Sequence, residues 1–313
     1  MTDMRRIGSL TVSSVGLGCN NFGGRLDEPA TARVVHAALD AGINFFDTAD
    51  IYGGDGKSEE YLGRALGSRR SEVIVATKFG MRIDDHRRGA RPEYVRAAAE
   101  DSLRRLGTDH IDLYQLHTPD PDVPIADTLG AMNELVTAGK VREIGCSNFS
   151  AQQIRDAEQQ SQDRGIARFV SVQNEYSLLH RDPEVEVLAE CERVHVAFVP
   201  FFPLASGLLT GKYHLGQPAP QGSRLASGPR AAQLTDARLE LVEELRAFAQ
   251  SRGHTLLELA FSWLLARPVV ASVIAGATTP EQVTANVAAA GWELSNADLD
   301  AIDTIVPPPR SDH

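Results

Sequence analysis

Long apolar runs are missing from this 313-residue chain. No stretch approaches the ~20 apolar residues that a membrane-spanning helix needs, so a membrane is not expected as a partner. Cysteine is scarce. The three present, Cys19, Cys146 and Cys191, are odd in number and have neither CxxC nor metal-type spacing, which argues against a disulfide framework and suits free thiols in a reducing compartment. Excess positive charge is absent too. With 31 Lys and Arg against 42 Asp and Glu, a net charge of -11 and a pI near 5.3, the chain lacks the field that a nucleic-acid partner requires. The one basic run, 86–91 (HRRGAR), reads as a solvated loop. Nine histidines form no HExxH pair or ligand cluster, which argues against a metal site. MTDMRRIGSL at the N-terminus has no signal-type apolar run or cleavage site, so the expected location is cytoplasmic.

Two glycine-rich segments look like nucleotide motifs and fail. GLGCNN at 16–21 begins as GxGxxG, but Asn21 stands at the third glycine position. GGDGKS at 53–58 ends like a P-loop, yet Ile51 occupies the place of its first glycine.

What is present is an alternation. Hydrophobic residues at 42% and charged residues at 23% are ordinary for a globular protein. FFDTAD, VIVATK, IDLYQLH, VREIGCSN, FVSVQNEY and VAFVPFF read as buried strands, each followed by a helix-like segment, a pattern that implies a parallel sheet. VGLGC before them and SVIAGA at 272–277 bring the number of strands to that of a closed (β/α)8 TIM barrel, in which strand C-terminal ends converge on one mouth. RRIGSLTVSS predicts a short hairpin capping the barrel floor. Helix starts are expected at Glu28 and Pro29 and at Ser58, the latter as an N-cap. The chain is expected to be one barrel domain over 1–313, with 204–234 as a long functional loop and 306–313 as a disordered tail.

The polar strand ends carry the chemistry. Asp47 and Lys78 form a candidate ion pair, with Tyr52 and His117 at the same mouth. A tyrosine with an ordinary pKa near ~10 becomes a better proton donor when a lysine stabilises its phenolate. A neutral His117 would hydrogen-bond a carbonyl oxygen. These parts suit protonation of a developing alkoxide.

DTADIYGGDGKSEEYLG, VIVATKFG, SLRRLGTDHIDLYQLH, VREIGCSN, VQNEYSLLHR, PLASGLLTGKY and GATTPEQVTAN, in this order from Ile7 to Ile305, resemble the aldo-keto reductases. The resemblance implies an oxidoreductase that moves a hydride reversibly between a nicotinamide cofactor and an aldehyde or ketone. Its tetrad would be Asp47, Tyr52, Lys78 and His117, with Tyr52 as general acid and base, Lys78 tuning it, Asp47 supporting Lys78 and His117 orienting the carbonyl. It further implies that Ser147, Asn148 and Gln173 hold the carboxamide and Phe201 stacks under the ring, where the family commonly has Tyr or Trp; Phe202 replaces a more usual Ser. Cys19, Asn20 and Asp47 would also contact the cofactor. Pro203, Leu204, Ala205, Gly207, Leu208, Lys212 and Arg224 would meet its phosphates, and Gly276, Thr278, Gln282 and Asn286 its adenosine end. Thr278 stands where many relatives carry Arg for the 2′-phosphate of NADP; NADP(H) is the expected cofactor, with NAD(H) as the alternative. Competing readings are a sugar dehydrogenase of the same family, a regulatory subunit resembling potassium-channel β subunits, and a Schiff-base aldolase using Lys78. The substrate and the oligomeric state stay open.

Overall fold

A computed structural model describes residues 3–309. The chain opens with an antiparallel hairpin, β1 (Met4–Ile7) and β2 (Leu10–Ser13). There follow β3 (Val15–Gly18), α1 (Glu28–Asp40), β4 (Phe45–Asp47), α2 (Lys57–Leu66), β5 (Ile74–Phe79), α3 (Pro92–Leu106), β6 (Ile111–Leu116) and α4 (Ile125–Thr137). The second half runs β7 (Val141–Ser147), α5 (Ala151–Arg164), β8 (Phe169–Glu175), α6 (Val187–Arg193), β9 (Ala197–Phe201), α7 (Asp236–Ser251), α8 (Leu256–Leu265), β10 (Val273–Gly276), α9 (Pro280–Ala288) and α10 (Asn296–Ile305). Strands β3 to β10 form one parallel sheet in the order β10-β3-β4-β5-β6-β7-β8-β9. A Phe198–Val270 bridge narrows the remaining gap beside β9, so the sheet is a nearly closed barrel ringed by helices, a (β/α)8 fold.

Period-two alternation explains how an apolar floor and a polar mouth coexist on the same strands. Phe45, Ala76, Leu113, Val199 and Ile274 pack inside the barrel with Ile7, Leu10 and Val12 of the hairpin. Two residues further along, the inward positions are Asp47, Lys78, Gln115, Phe201 and Gly276. The hairpin therefore plugs the floor as expected, and Arg5 fastens it to the carbonyls of Val270 and Leu265 at 2.5 and 2.8 Å. A larger apolar cluster fills the space between sheet and helices.

The start of α2 differs from expectation. Its N-cap is Gly56, in the left-handed region at φ 81, and Ser58 lies inside the first turn, fully buried. Its hydroxyl donates to the Cys19 carbonyl at 2.9 Å and contacts Thr48 Oγ1 at 2.8 Å. A glycine turn began the helix earlier, which rotated Ser58 into the barrel wall. The long connection 204–234 carries a kinked run of turns at Ala205–Thr210 and a short 3-10 helix at Pro229–Gln233, and its buried Tyr213 and Leu225, joined by a hydrogen bond, pack into the core of the body. Of the expected tail, Val306 still accepts a hydrogen bond from Arg181; residues 310–313 lie outside the described residues.

Candidate active site

Strand register brings the polar ends level. Gly18 pairs with Asp47, Lys78 with Gln115, and Ser147 with Gln173. At the centre Lys78 Nζ donates to Asp47 Oδ2 at 2.6 Å and to the Thr48 carbonyl at 2.9 Å, with both charged side chains essentially without solvent exposure. Asp47 Oδ1 accepts from Gln173 Nε2 at 2.8 Å and Gln115 Nε2 at 3.3 Å. A buried ion pair of this kind persists only where hydrogen bonds satisfy its remaining valences. Here the two glutamines and the Thr48 carbonyl do so.

The Tyr52 ring lies above the pair, 5.1 Å from Lys78 Nζ, and meets His117 edge to face at 5.8 Å. Burial pulls the Lys78 pKa down, but Asp47 and Tyr52 outweigh it, and the ammonium is held above its ordinary value. Burial, followed by the Lys78 charge, lowers the His117 pKa to about 3, so the imidazole is neutral. Its Nδ1 is buried without a hydrogen-bond partner among the described residues. Tyr52 departs from expectation. Crowding around the phenol outweighs the help from Lys78, and its pKa stands above the ordinary value, although part of the ring still faces solvent. Reasoning from sequence weighed the lysine and had no measure of the burial.

The other expected residues lie at or after the C-terminal ends of β3, β7, β8, β9 and β10. Asn148, at φ 62, donates to the His117 carbonyl at 2.9 Å and to Ser147 Oγ at 3.1 Å. Phe201 and Phe202 pack edge to face at 5.2 Å. Phe202, Ala205, Ser206 and Gly207 all have positive φ, a contorted turn in which the Ala205 and Gly207 amides donate to the Phe202 and Leu204 carbonyls at 2.9 and 2.8 Å. The Lys212 ammonium folds over Gly207, where an added Cβ would come within 3.3 Å of Nζ. Arg224 donates to Asn21 Oδ1 at 2.8 Å, and Asn21 Nδ2 to the Ala277 carbonyl at 3.1 Å, which ties the long loop to the end of β10. Asn20 and Asn21 crowd Gly276. Thr278 donates through N and Oγ1 to Gln282 Oε1 at 2.8 and 3.1 Å, and Asn286 lies buried one turn on. Cys19, Leu208 and Ala205 send their side chains into the apolar interior, which leaves only their backbone for a ligand; Pro203 is buried and Leu204 half-buried.

Several residues of this end of the barrel escaped the sequence reading. Gln115 had a signal, since it precedes His117 by two on the same strand and so faces inward. Arg25 and Arg230 had none. Arg230 sits over the Phe202 ring at 4.3 Å and donates to Ser206 Oγ at 3.3 Å, while Arg25 donates to the Gly222 carbonyl at 2.7 Å. Among the described residues none of Arg25, Arg224 and Arg230 has a carboxylate partner. Burial, then the charges of Arg230 and Arg25, lower the Arg224 pKa. Unpaired arginines drawn together in an acidic protein fit an anionic ligand. A cleft of about 670 Å³ lies at the opposite end, between the hairpin and β9, lined by residues that include Arg5, His195 and Val269. It contains none of the converging strand ends.

The sequence profile of the aldo/keto reductase family matches residues 14–307. The aldo-keto reductase YhdN of Bacillus subtilis is 36% identical over 308 residues, covering 95% of this chain and 91% of that protein. A probable voltage-gated potassium channel subunit beta of Oryza sativa is 35% identical, covering 90% and 88%. The solved structure of the glycerol dehydrogenase AKR11B4 from Gluconobacter oxydans superposes with a TM-score of 0.85 at 33% identity, covering 99% of this chain and 98% of that one.

Proposed function

The chain belongs to the aldo/keto reductase family, and from that premise we propose that it reversibly reduces an aldehyde or ketone with a nicotinamide cofactor. The observation that carries the reading is the buried Asp47–Lys78 pair set beneath Tyr52 and His117. The fit of a dinucleotide rests on the Lys212 ammonium over Gly207 and the unpaired arginines. Ser147, Asn148 and Gln173 would hold its carboxamide, Phe201 its ring, Lys212, Arg224 and the 203–208 backbone its phosphates, and Gly276, Thr278, Gln282 and Asn286 its adenosine end. When bound, the cofactor supplies the hydride.

The protein's own groups handle the proton and the orientation. His117, neutral because burial and Lys78 disfavour its charged form, hydrogen-bonds the carbonyl oxygen and fixes the substrate. Tyr52 donates its proton to that oxygen as alkoxide character develops. Its raised pKa keeps the phenol protonated at neutral pH, so the proton is present when needed, and Lys78 stabilises the phenolate left behind. Asp47 keeps Lys78 charged and in place. Positioned acid catalysis of this kind contributes about 10²–10⁴-fold. In the oxidative direction the same phenolate accepts the alcohol proton.

NADP(H) is the preferred cofactor in this reading. The arginine cluster stands near the β10 end through the Arg224–Asn21–Ala277 chain and compensates for Thr278. The likeness to a glycerol dehydrogenase favours polyol oxidation as one working direction. A second reading, a cofactor-bearing subunit of a larger assembly, draws on the likeness to the rice channel subunit. Among the described residues no helix is long and apolar enough to cross a membrane, and the proposed location is the cytoplasm. Titration with NADPH and NADH by tryptophan quenching, coupled to turnover of small aldehydes and polyols, tests the proposal. Binding with turnover supports it; binding without turnover supports the subunit reading.

A further inference from the structure

Directly behind Tyr52 lies a group of buried charges that this chemistry does not use. Asp50, 1% exposed, and Glu59, 0% exposed, both feel the charge of Arg105, but it is Glu59 that the guanidinium bonds. Arg105 Nε donates to Glu59 Oε2 at 2.6 Å, and Thr77 Oγ1 donates to the other Glu59 oxygen. Asp50 receives less. Oδ2 accepts from the Tyr94 hydroxyl at 3.3 Å, and Oδ1 has no hydrogen-bond partner among the described residues. Two buried carboxylates against one arginine leave a negative charge uncompensated, and such a site ordinarily resolves by holding a proton.

The backbone ties Asp50 to the mouth. Its amide donates to the Lys78 carbonyl at 3.0 Å, and Tyr52 N closes the turn on the Ala49 carbonyl at 3.1 Å. Ser58 N then donates to the Tyr52 carbonyl at 3.2 Å. Asp50 and Tyr52 are thus opposite faces of one turn, the first pressed against α3 through Tyr94 and the second turned toward Lys78 and His117.

We propose that Asp50 is a positioning residue for Tyr52: as a neutral carboxylic acid it sits beside Glu59 of α2 without repulsion, and loss of its proton sets two buried carboxylates against each other and loosens the 49–52 turn. The proton goes to bulk solvent; no bond to substrate is involved. Facing Asp50 are Glu59 from α2, Arg105 and Tyr94 from α3, and Tyr114 from β6, with Arg87 of the following loop acting on Tyr94 and Asp101 on Arg105. Burial first, then Glu59, push the Asp50 carboxyl up to about 7, against opposing pulls from Arg105, Tyr94 and the Ile51 amide. Only Asp50 of the two acids lacks a strong donor, and a neutral carbonyl tolerates an unpartnered oxygen better than an anion does.

The inference rests on the proposed function only in treating Tyr52 as the residue being positioned, so the test has two independent arms. The first follows the C=O stretch of protonated carboxyl by infrared difference spectroscopy across pH, comparing the full-length protein with Asp50→Asn. The expected result is a band lost near neutral pH and absent in the variant; its loss in the ordinary acidic range overturns the proposal. The second follows turnover of a neutral aldehyde against pH. Wild type should lose kcat several-fold on the alkaline side with KM little changed, while Asp50→Asn, which mimics the protonated form, should keep the acid-side rate throughout. The same alkaline fall in Asp50→Asn overturns the proposal. If that variant does not fold, Tyr94→Phe serves, because removing a hydroxyl that favours the anion should shift both the band and the kinetic midpoint upward together; a band that moves without the rate overturns the link to Tyr52. Absence of turnover in wild type refutes the reductase reading and leaves the infrared arm to decide the state of Asp50.

Discussion

Gln173, at the end of β8, donates to Asp47 Oδ1 across the barrel at 2.8 Å while Lys78 holds Oδ2 at 2.6 Å. Asp47 is therefore fixed from both sides. The second amide hydrogen of Gln173 faces Gln115 Oε1 at 3.4 Å, so its own Oε1 is the atom left to accept from a carboxamide. Gln173→Ala should weaken cofactor binding by about tenfold, one hydrogen bond of roughly 1–1.5 kcal/mol, and lower kcat as well by freeing Asp47. Fluorescence titration and steady-state kinetics on the same preparation separate the two effects; a variant with both quantities unchanged would remove Gln173 from the site.

Tyr52→Phe deletes the proposed proton donor and almost no surface. Turnover should fall by about 10²–10⁴-fold with cofactor affinity nearly intact. Single-turnover measurements with saturating cofactor provide the check, and wild-type-like rates would sink the mechanism.

His117 gives stability a definite sign of pH dependence. Folded, the imidazole takes up a proton only near pH 3; unfolded, it does so near ~6.5. Between those values the unfolded chain binds more protons, so stability falls as pH is lowered through that window. From about pH 7 to about pH 5 the His117 share of the loss should be roughly 2 kcal/mol, measurable as a smaller loss in His117→Gln during urea unfolding. Asp50 has the opposite sign, since its raised carboxyl pKa stabilises the fold at acid pH and that contribution is lost as pH rises toward 7.

Arg230→Ala removes a cation that now rests on Phe202. If it meets cofactor phosphate, the variant should lose NADPH affinity by about tenfold or more, the scale of a charge-assisted hydrogen bond, with a smaller loss for NADH. Equal losses for both cofactors would place it at the shared phosphates, and no loss at either would leave it a loop anchor.

Gly63, on α2, packs against the Leu106 backbone at the end of α3, where an added Cβ would run into the carbonyl. Gly63→Ala should destabilise by about 1–3 kcal/mol despite alanine's better helix propensity. Thermal unfolding would show it, and a neutral or stabilising result would mean that the helices shift apart freely.

The barrel was legible because its strands are short apolar runs ending in polar groups, and because alternation places every second residue inside. The same rule pointed to Asp47, Lys78, His117 and Gln173. It misassigned Ser58, since helix onset depended on a left-handed glycine three-dimensionally locked beneath Arg105. Tyr52 was identified, but the balance between its burial and Lys78 was not, because desolvation depends on neighbours from other strands.

What the sequence determined by itself was the alternation of strands and helices, the residue types at the strand ends and the family they resemble, all carried by local period and order. Tertiary structure alone decided which of those groups meet. Residues 126 positions apart share the Asp47–Gln173 bond, Arg224 reaches Asn21 over 203, and Glu59 of α2 takes its guanidinium from Arg105 of α3. Such pairings depend on closure of the barrel, which sets distances and removes water, and no local pattern in the chain encodes either quantity.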